Sequence, residues 1–169
     1  KLTGHYCEEN SLDGQMWCCA GVMPFYEYEH IPGIDYLGRD IAYSGWLGSK
    51  QLGSVAAQLG KKQTLVETLA CCGWDVTPDE LRVIAEHSFI DGVNNICHHL
   101  LPYEENGQRK RDYPSHFNDT NPWIKEGFKE FNDYFSSLGY LLSTSKEVVN
   151  VGIIQPIRSM YLNYQRFVY

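Results

Sequence analysis

Polar side chains stand where short runs of strand-forming residues stop: Glu8 and Glu9, Asp35, Glu67, His98 and His99, and Gln155. The sharpest case is Thr64-Leu65-Val66, which ends in Glu67 with helical signals on both sides, as a buried parallel strand does when it delivers a carboxylate to the end of a sheet. In folds that alternate strand and helix, the carboxyl ends of the strands are where ligands bind and chemistry is done. Two carboxylates facing each other across a cleft are the equipment of glycoside hydrolysis, in which one protonates the leaving oxygen and the other activates water or attacks directly. Trp46, Trp74, Trp123, Tyr103 and Tyr113 would offer flat apolar faces to sugar rings.

Each residue also has a plainer reading. Glu67 fits a solvated position just past a strand, and Trp123 fits a core. Neighbouring strand residues face opposite ways, so Glu8 and Glu9 divide between inside and solvent, as do His98 and His99. The same divergence separates Cys97 from His98 as nucleophile and base. The His pair with Glu67 as a metal site lacks any tight ligand spacing. Asn118-Asp119-Thr120 matches a glycosylation acceptor, a pattern common by chance. Neither G-x-G-x-x-G nor a Walker sequence is present, which disfavours a nucleotide enzyme.

The elements that must position these groups follow from periodicity and punctuation. Leu52, Val55, Ala56 and Leu59 mark a helix capped by Gly60. Thr77-Pro78-Asp79-Glu80 is a capping box with Pro in the first turn, and it starts a helix striped by Leu81, Ile84, Ala85 and Phe89 that ends at Gly92. Val93 to His99 reads as a strand. Asn121-Pro122 opens a long helix with Ile124, Phe128, Phe131, Phe135 and Leu138 on one face. Val148 to Gln155 is the most strand-like segment of all, and Met160 to Tyr164 reads as a covering helix. Toward the amino terminus, residues 1–12 open with a short strand, and residues 13–38 read as a loop-rich connection with a short strand ending near Asp35. The expectation is an α/β fold of about five parallel strands with right-handed crossovers, a partial (β/α)8 barrel in one domain.

Composition narrows the function. The 169 residues suffice for one core but fall short of the roughly 250 of a complete barrel. A net charge of -7 argues against nucleic acid and anionic lipid, and no run nears the roughly 18 apolar residues of a membrane span. Four of the six cysteines form adjacent pairs, Cys18-Cys19 and Cys71-Cys72, which favours reduced, buried thiols and, with them, the cytoplasm over a secreted or periplasmic site. The chain opens on Lys1 without an initiator Met, and the expectation is a piece of a longer protein.

Several segments taken together carry a family resemblance. GHYCEENSL with Gln15, HIPGIDYLGR, KQLGSVAAQLG, VETLACCGWD, GVNNICHHL, RKRDYP and NPWIKE run in an order similar to that of large bacterial glycoside hydrolases resembling the α-L-rhamnosidases of family 106. The resemblance implies a (β/α) barrel of which residues 1–169 are the C-terminal half or more, completed by a missing amino-terminal half or a partner chain. It implies an oligosaccharide or glycoside substrate and inversion, with carboxyls roughly 6.5–9.5 Å apart. It further implies Glu9 as general acid, with Glu8 the alternative, and Glu67 as base. His5, Asp35, Trp74, His98 and His99 would line the sugar pocket. No cofactor is expected, and calcium, which related enzymes bind, has no ligand loop in this sequence. Two other readings are a non-catalytic carbohydrate-binding or assembly subunit and a metal-dependent hydrolase.

Overall fold

The computed structural model describes residues 1–39, 46–99 and 121–165, the side chain of Trp46 excepted. The elements are β1 (Thr3–Gly4), α1 (Leu12–Cys18), α2 (Met23–Tyr26), β2 (Ile31–Tyr36), α3 (Trp46–Gln58), β3 (Leu65–Thr68), α4 (Pro78–Ile90), β4 (Asn95–His98), α5 (Pro122–Thr144) and α6 (Ile157–Asn163). The four strands pair in parallel in the order of the chain. Their register sets Asp35 beside Glu67 and Glu67 beside Cys97.

Strand order equal to chain order has a consequence for the layers. Right-handed crossovers that always step the same way put every connecting helix on one face of the sheet. Accordingly α3 packs on β2, α5 on β4, and α4 lies between α3 and α5. The helix-covered face holds Ile34, Tyr36, Val66 and Thr68, all buried. On the other face, one residue out of step, Asp35 and Glu67 are partly exposed and Cys97 is exposed. Burying a side chain such as Ile34 or Val66 contributes about 1.5–3 kcal/mol, so the covered face supplies the stability and leaves the other free for polar groups.

Local signals set the helix boundaries. Thr77 accepts a hydrogen bond from the Glu80 backbone N–H while the Glu80 carboxylate accepts from that of Thr77 at 2.9 Å, a capping box worth about 1 kcal/mol. The Asn121 side chain caps α5, with Pro122 in its first turn. Gly60 takes φ +66 just past α3, the left-handed conformation that closes a helix. Within α3, Gly53 crosses the turn after α4 so closely that a Cβ there would lie 2.0 Å from the Asp91 carbonyl oxygen. The stripe of α4 is buried throughout, and that of α5 packs against the same core.

Four expectations are corrected. Residues 13–38 are not mainly loop but carry α1, α2 and the six-residue β2, because Ser11 caps a helix that the Pro and Gly residues farther on do not interrupt. Leu59 is exposed, one residue past the end of α3 at Gln58. Among the described cysteines, all six free, only Cys72 is buried, and Cys7, Cys18, Cys71 and Cys97 are exposed. Finally, Val148 to Gln155 forms no strand, so the sheet has four strands among the described residues rather than about five. That stretch runs between the Lys50–Glu147 ion pair and Ile157 beside Gly21, and among the described residues it meets no strand to pair with. The last helix is present as α6, Ile157–Asn163, beside α1 and with no buried residue of its own. No described helix is long and apolar enough to cross a membrane.

Candidate functional site

Past β1 the chain passes through His5 and Tyr6 into a turn in which Glu8 adopts φ 61. That left-handed residue, not strand alternation, decides the fate of the acidic pair: Glu8 is exposed and Glu9 is 1% exposed. The Glu9 carboxylate accepts hydrogen bonds from the backbone N–H groups of Tyr6 at 2.8 Å and Asp35 at 3.2 Å, tying the turn to β2. Its own carbonyl accepts from the buried Gln15 amide, which also donates to Gln51. Burial pushes the Glu9 carboxyl up to about 7, against the pull of its own backbone N–H and those of Tyr6 and Asp35, and with a further push from the Asp35 charge.

One imidazole joins this turn to β3. His5 Nε2 lies 2.7 Å from the Glu67 carboxylate, and Nδ1 lies 2.9 Å from the Tyr6 carbonyl oxygen and 4.0 Å from the Glu9 carboxylate. Asp35, the register partner of Glu67, completes the group: one ligand atom each from His5, Asp35 and Glu67 falls within 4.8 Å of the others. His5 titrates above its ordinary value; partial burial opposes the charged form, but the Tyr6 carbonyl and the carboxylates of Asp35, Glu67 and Glu9 outweigh it. Just beyond, the chain leaves β3 through Leu69 at φ 72 and Cys71 at φ 56. A buried leucine in the left-handed region costs on the order of 1–3 kcal/mol and persists only where packing holds it.

Glu9, Glu67, His5 and Asp35 thus come together at the carboxyl ends of β1, β2 and β3. His98 and Trp74 are placed otherwise, and His99 lies just past the end of β4. His98 lies on the helix-covered face, its Nε2 2.9 Å from Asn132 Oδ1 and its ring against Phe128 and Phe131. Burial lowers its pKa, with the Asn132 bond working the other way. The reason is parity: Glu67 pairs with Cys97, so Cys97 shares its face and His98 points opposite. His99 is buried one residue beyond β4, its backbone N–H bonded to the Thr68 carbonyl. Trp74 is mostly exposed in the turn between β3 and α4. Trp123 packs edge-on against Phe128 and Phe131 beside the core. Tyr103, Tyr113, the basic Arg109-Lys110-Arg111 and Asn118-Asp119-Thr120 lie outside the described residues, as does the side chain of Trp46.

Sequence reasoning did not find Gln51 or the service of the Tyr6 main chain. Gln51 had a signal, a polar side chain beside Leu52 on a buried stripe. A backbone carbonyl has none. The described cluster does not fit calcium, which takes about six to eight oxygen ligands; two carboxylates and an imidazole nitrogen suit a smaller ion such as zinc.

The fold and this rim define an α/β protein with a parallel sheet and a carboxylate–imidazole cluster at its strand ends. No family model matches the chain, and neither a curated protein nor a solved structure does.

Proposed function

We propose that the chain forms part of the catalytic domain of a glycoside hydrolase, resembling the α-L-rhamnosidases, in which Glu67 is the general base and Glu9 the general acid. The observation that carries the reading is the imidazole of His5 set between the two carboxylates at the strand ends. Glu9, protonated in part near neutrality, has a proton to give, and Glu67 is open enough to meet water. Inversion, as in the family the chain resembles, would need a water molecule between the two carboxyls. Asp35 would contact the sugar hydroxyls. The singly wound sheet, with its polar face uncovered and the outer edges of β1 and β4 unpaired among the described residues, supports a partial (β/α)8 barrel completed by further strands, from this polypeptide or a partner.

Glu67→Gln is expected to lower hydrolysis of an aryl-glycoside panel by about 100- to 10,000-fold while circular dichroism and thermal unfolding stay unchanged. Equal turnover by the variant would remove Glu67 from the reaction. A second reading, a metal-dependent hydrolase, is favoured by the three donor atoms of His5, Asp35 and Glu67. Elemental analysis of the purified protein, with and without chelator treatment, separates the two.

A further inference from the structure

We infer that Gln15 is a positioning residue for Glu9, and that with Gln51 behind it this buried amide pair sets where the general acid delivers its proton, a role that rests on the reading of Glu9 as that acid. The backbone N–H groups of Tyr6 and Asp35 both meet one oxygen of the Glu9 carboxyl, Oε1. The orientation of the carboxyl is therefore tied to main chain, and whatever fixes the Glu9 main chain fixes the acid. Gln15 does so from α1, outside the sheet. The Glu9 carbonyl oxygen can only accept and the Val22 N–H can only donate, so Nε2 faces the first at 2.6 Å and Oε1 the second at 3.4 Å. The other hydrogen on Nε2 goes to Gln51 Oε1 at 2.7 Å. Both donor hydrogens of this fully buried amide are thus committed, one of them to Glu9.

Gln51 completes the support from α3. Its Oε1 is the acceptor, which leaves its own Nε2 shielded from solvent with no hydrogen-bond partner among the described residues. A buried donor without a partner is costly, and a methionine or leucine would fill the place without that cost. Three residues before Gln51, Gly48 lies against the same turn: a Cβ there would stand 3.0 Å from Asn10 Oδ1 and 3.2 Å from Glu9 Cβ. Helices α1 and α3 therefore both reach the Glu9 turn, and they are joined there by a polar clasp. Such a clasp specifies one arrangement rather than adding stability, which is what an acid aimed at a leaving oxygen requires.

In the proposed reaction Glu9 gives its proton to the leaving oxygen as the bond from that oxygen to the sugar carbon breaks, while Glu67 takes a proton from the attacking water. A displaced acid harms poor leaving groups and spares good ones, which depart without a proton; a chain that is merely loosened slows with all of them alike. The test is a series of aryl glycosides, from dinitrophenyl to unsubstituted phenyl, of the sugar that the wild type cleaves fastest. The full chain is compared with Gln15→Met, Gln51→Met and, as the reference for a lost acid, Glu9→Gln, with circular dichroism and thermal unfolding to report folding. Gln15→Met is expected to keep dinitrophenyl turnover within about threefold and to lose about 10- to 100-fold in kcat on the phenyl glycoside, with KM little changed. Gln51→Met, which leaves the bond from Gln15 to Glu9 in place, is expected to show a shallower slope of the same sign. A loss equal across the series in Gln15→Met, or none, overturns the inference. Where Gln15→Met does not fold, Gln51→Met decides by the same criterion; if neither folds, the amides are structural and the inference falls. A wild type that hydrolyses no glycoside, or a Glu9→Gln series without the slope, removes the proposed acid and this role with it, whereas a slope in Glu9→Gln alone removes only the role of the amides.

Discussion

The stretches Thr64 to Thr68 and Val148 to Ile154 have the same local character, rich in β-branched residues, yet only the first is a strand. In β3, Val66 is fully buried and the backbone is paired on both sides, by β2 and β4. Along 148–154, Val148, Val149, Val151, Ile153 and Ile154 are exposed, the last two at 93%. The difference lies in what each stretch meets. The crossover through α3 returns the chain to the sheet beside β2. The crossover through α5 overshoots: 23 residues of helix span about 35 Å, whereas the four residues of β4 span about 13 Å. Gly139 already passes against the Asn94 backbone at the start of β4, and the helix runs on to Thr144 before releasing the chain. Strand propensity is a readiness to pack on a pleated surface, and without that surface it is not expressed.

The same substitution in both stretches sharpens the contrast. Val66→Ala removes two methyl groups from a filled core and is expected to cost about 2–3 kcal/mol in denaturant unfolding. Equal stability would mean that β3 is not packed as described. A smaller effect, within the sheet region, concerns Glu9. Its folded pKa of about 7 exceeds the ordinary value of 4.5, so between these values the folded state binds more protons than the unfolded one, and stability falls as pH rises through that window. The slope is expected to be at most about 1.4 kcal/mol per pH unit, and Glu9→Gln, which keeps the two acceptor bonds, is expected to flatten it. A variant with the wild-type slope would show that Glu9 is ionised throughout. The smallest effect is expected for Val151→Ala, within about 0.5 kcal/mol of wild type. A cost matching that of Val66→Ala would show the stretch covered in solution.

Much of the frame was legible because its signals are local. Thr77-Pro78-Asp79-Glu80 and Asn121-Pro122 specify their helix starts through side-chain and backbone bonds a few residues apart. Alternation of strand and helix implied parallel pairing, which the four strands have. The approach of Asp35 and Glu67 followed from strand ends, whereas Glu9 reaches them from the turn beyond β1. The orientation of His98 was half legible: the pair had to divide, but which member faced the rim depended on register with β3, a nonlocal fact. His5 was expected as a pocket residue, and its bond to Glu67 had no trace in the sequence, since one follows β1 and the other lies in β3, with β2 between them.

By itself, then, the amino-acid order determined where helices begin, which runs are apolar and which acids stand at strand ends, because caps, turns and side-chain periodicity act over a few residues. Tertiary structure alone decided that Glu9 is buried while Glu8 is not, that one imidazole links two carboxylates, and that 148–154 pairs with no strand among the described residues. Each of these depends on which distant surface a segment meets, and burial, charge and backbone pairing are settled only by that meeting.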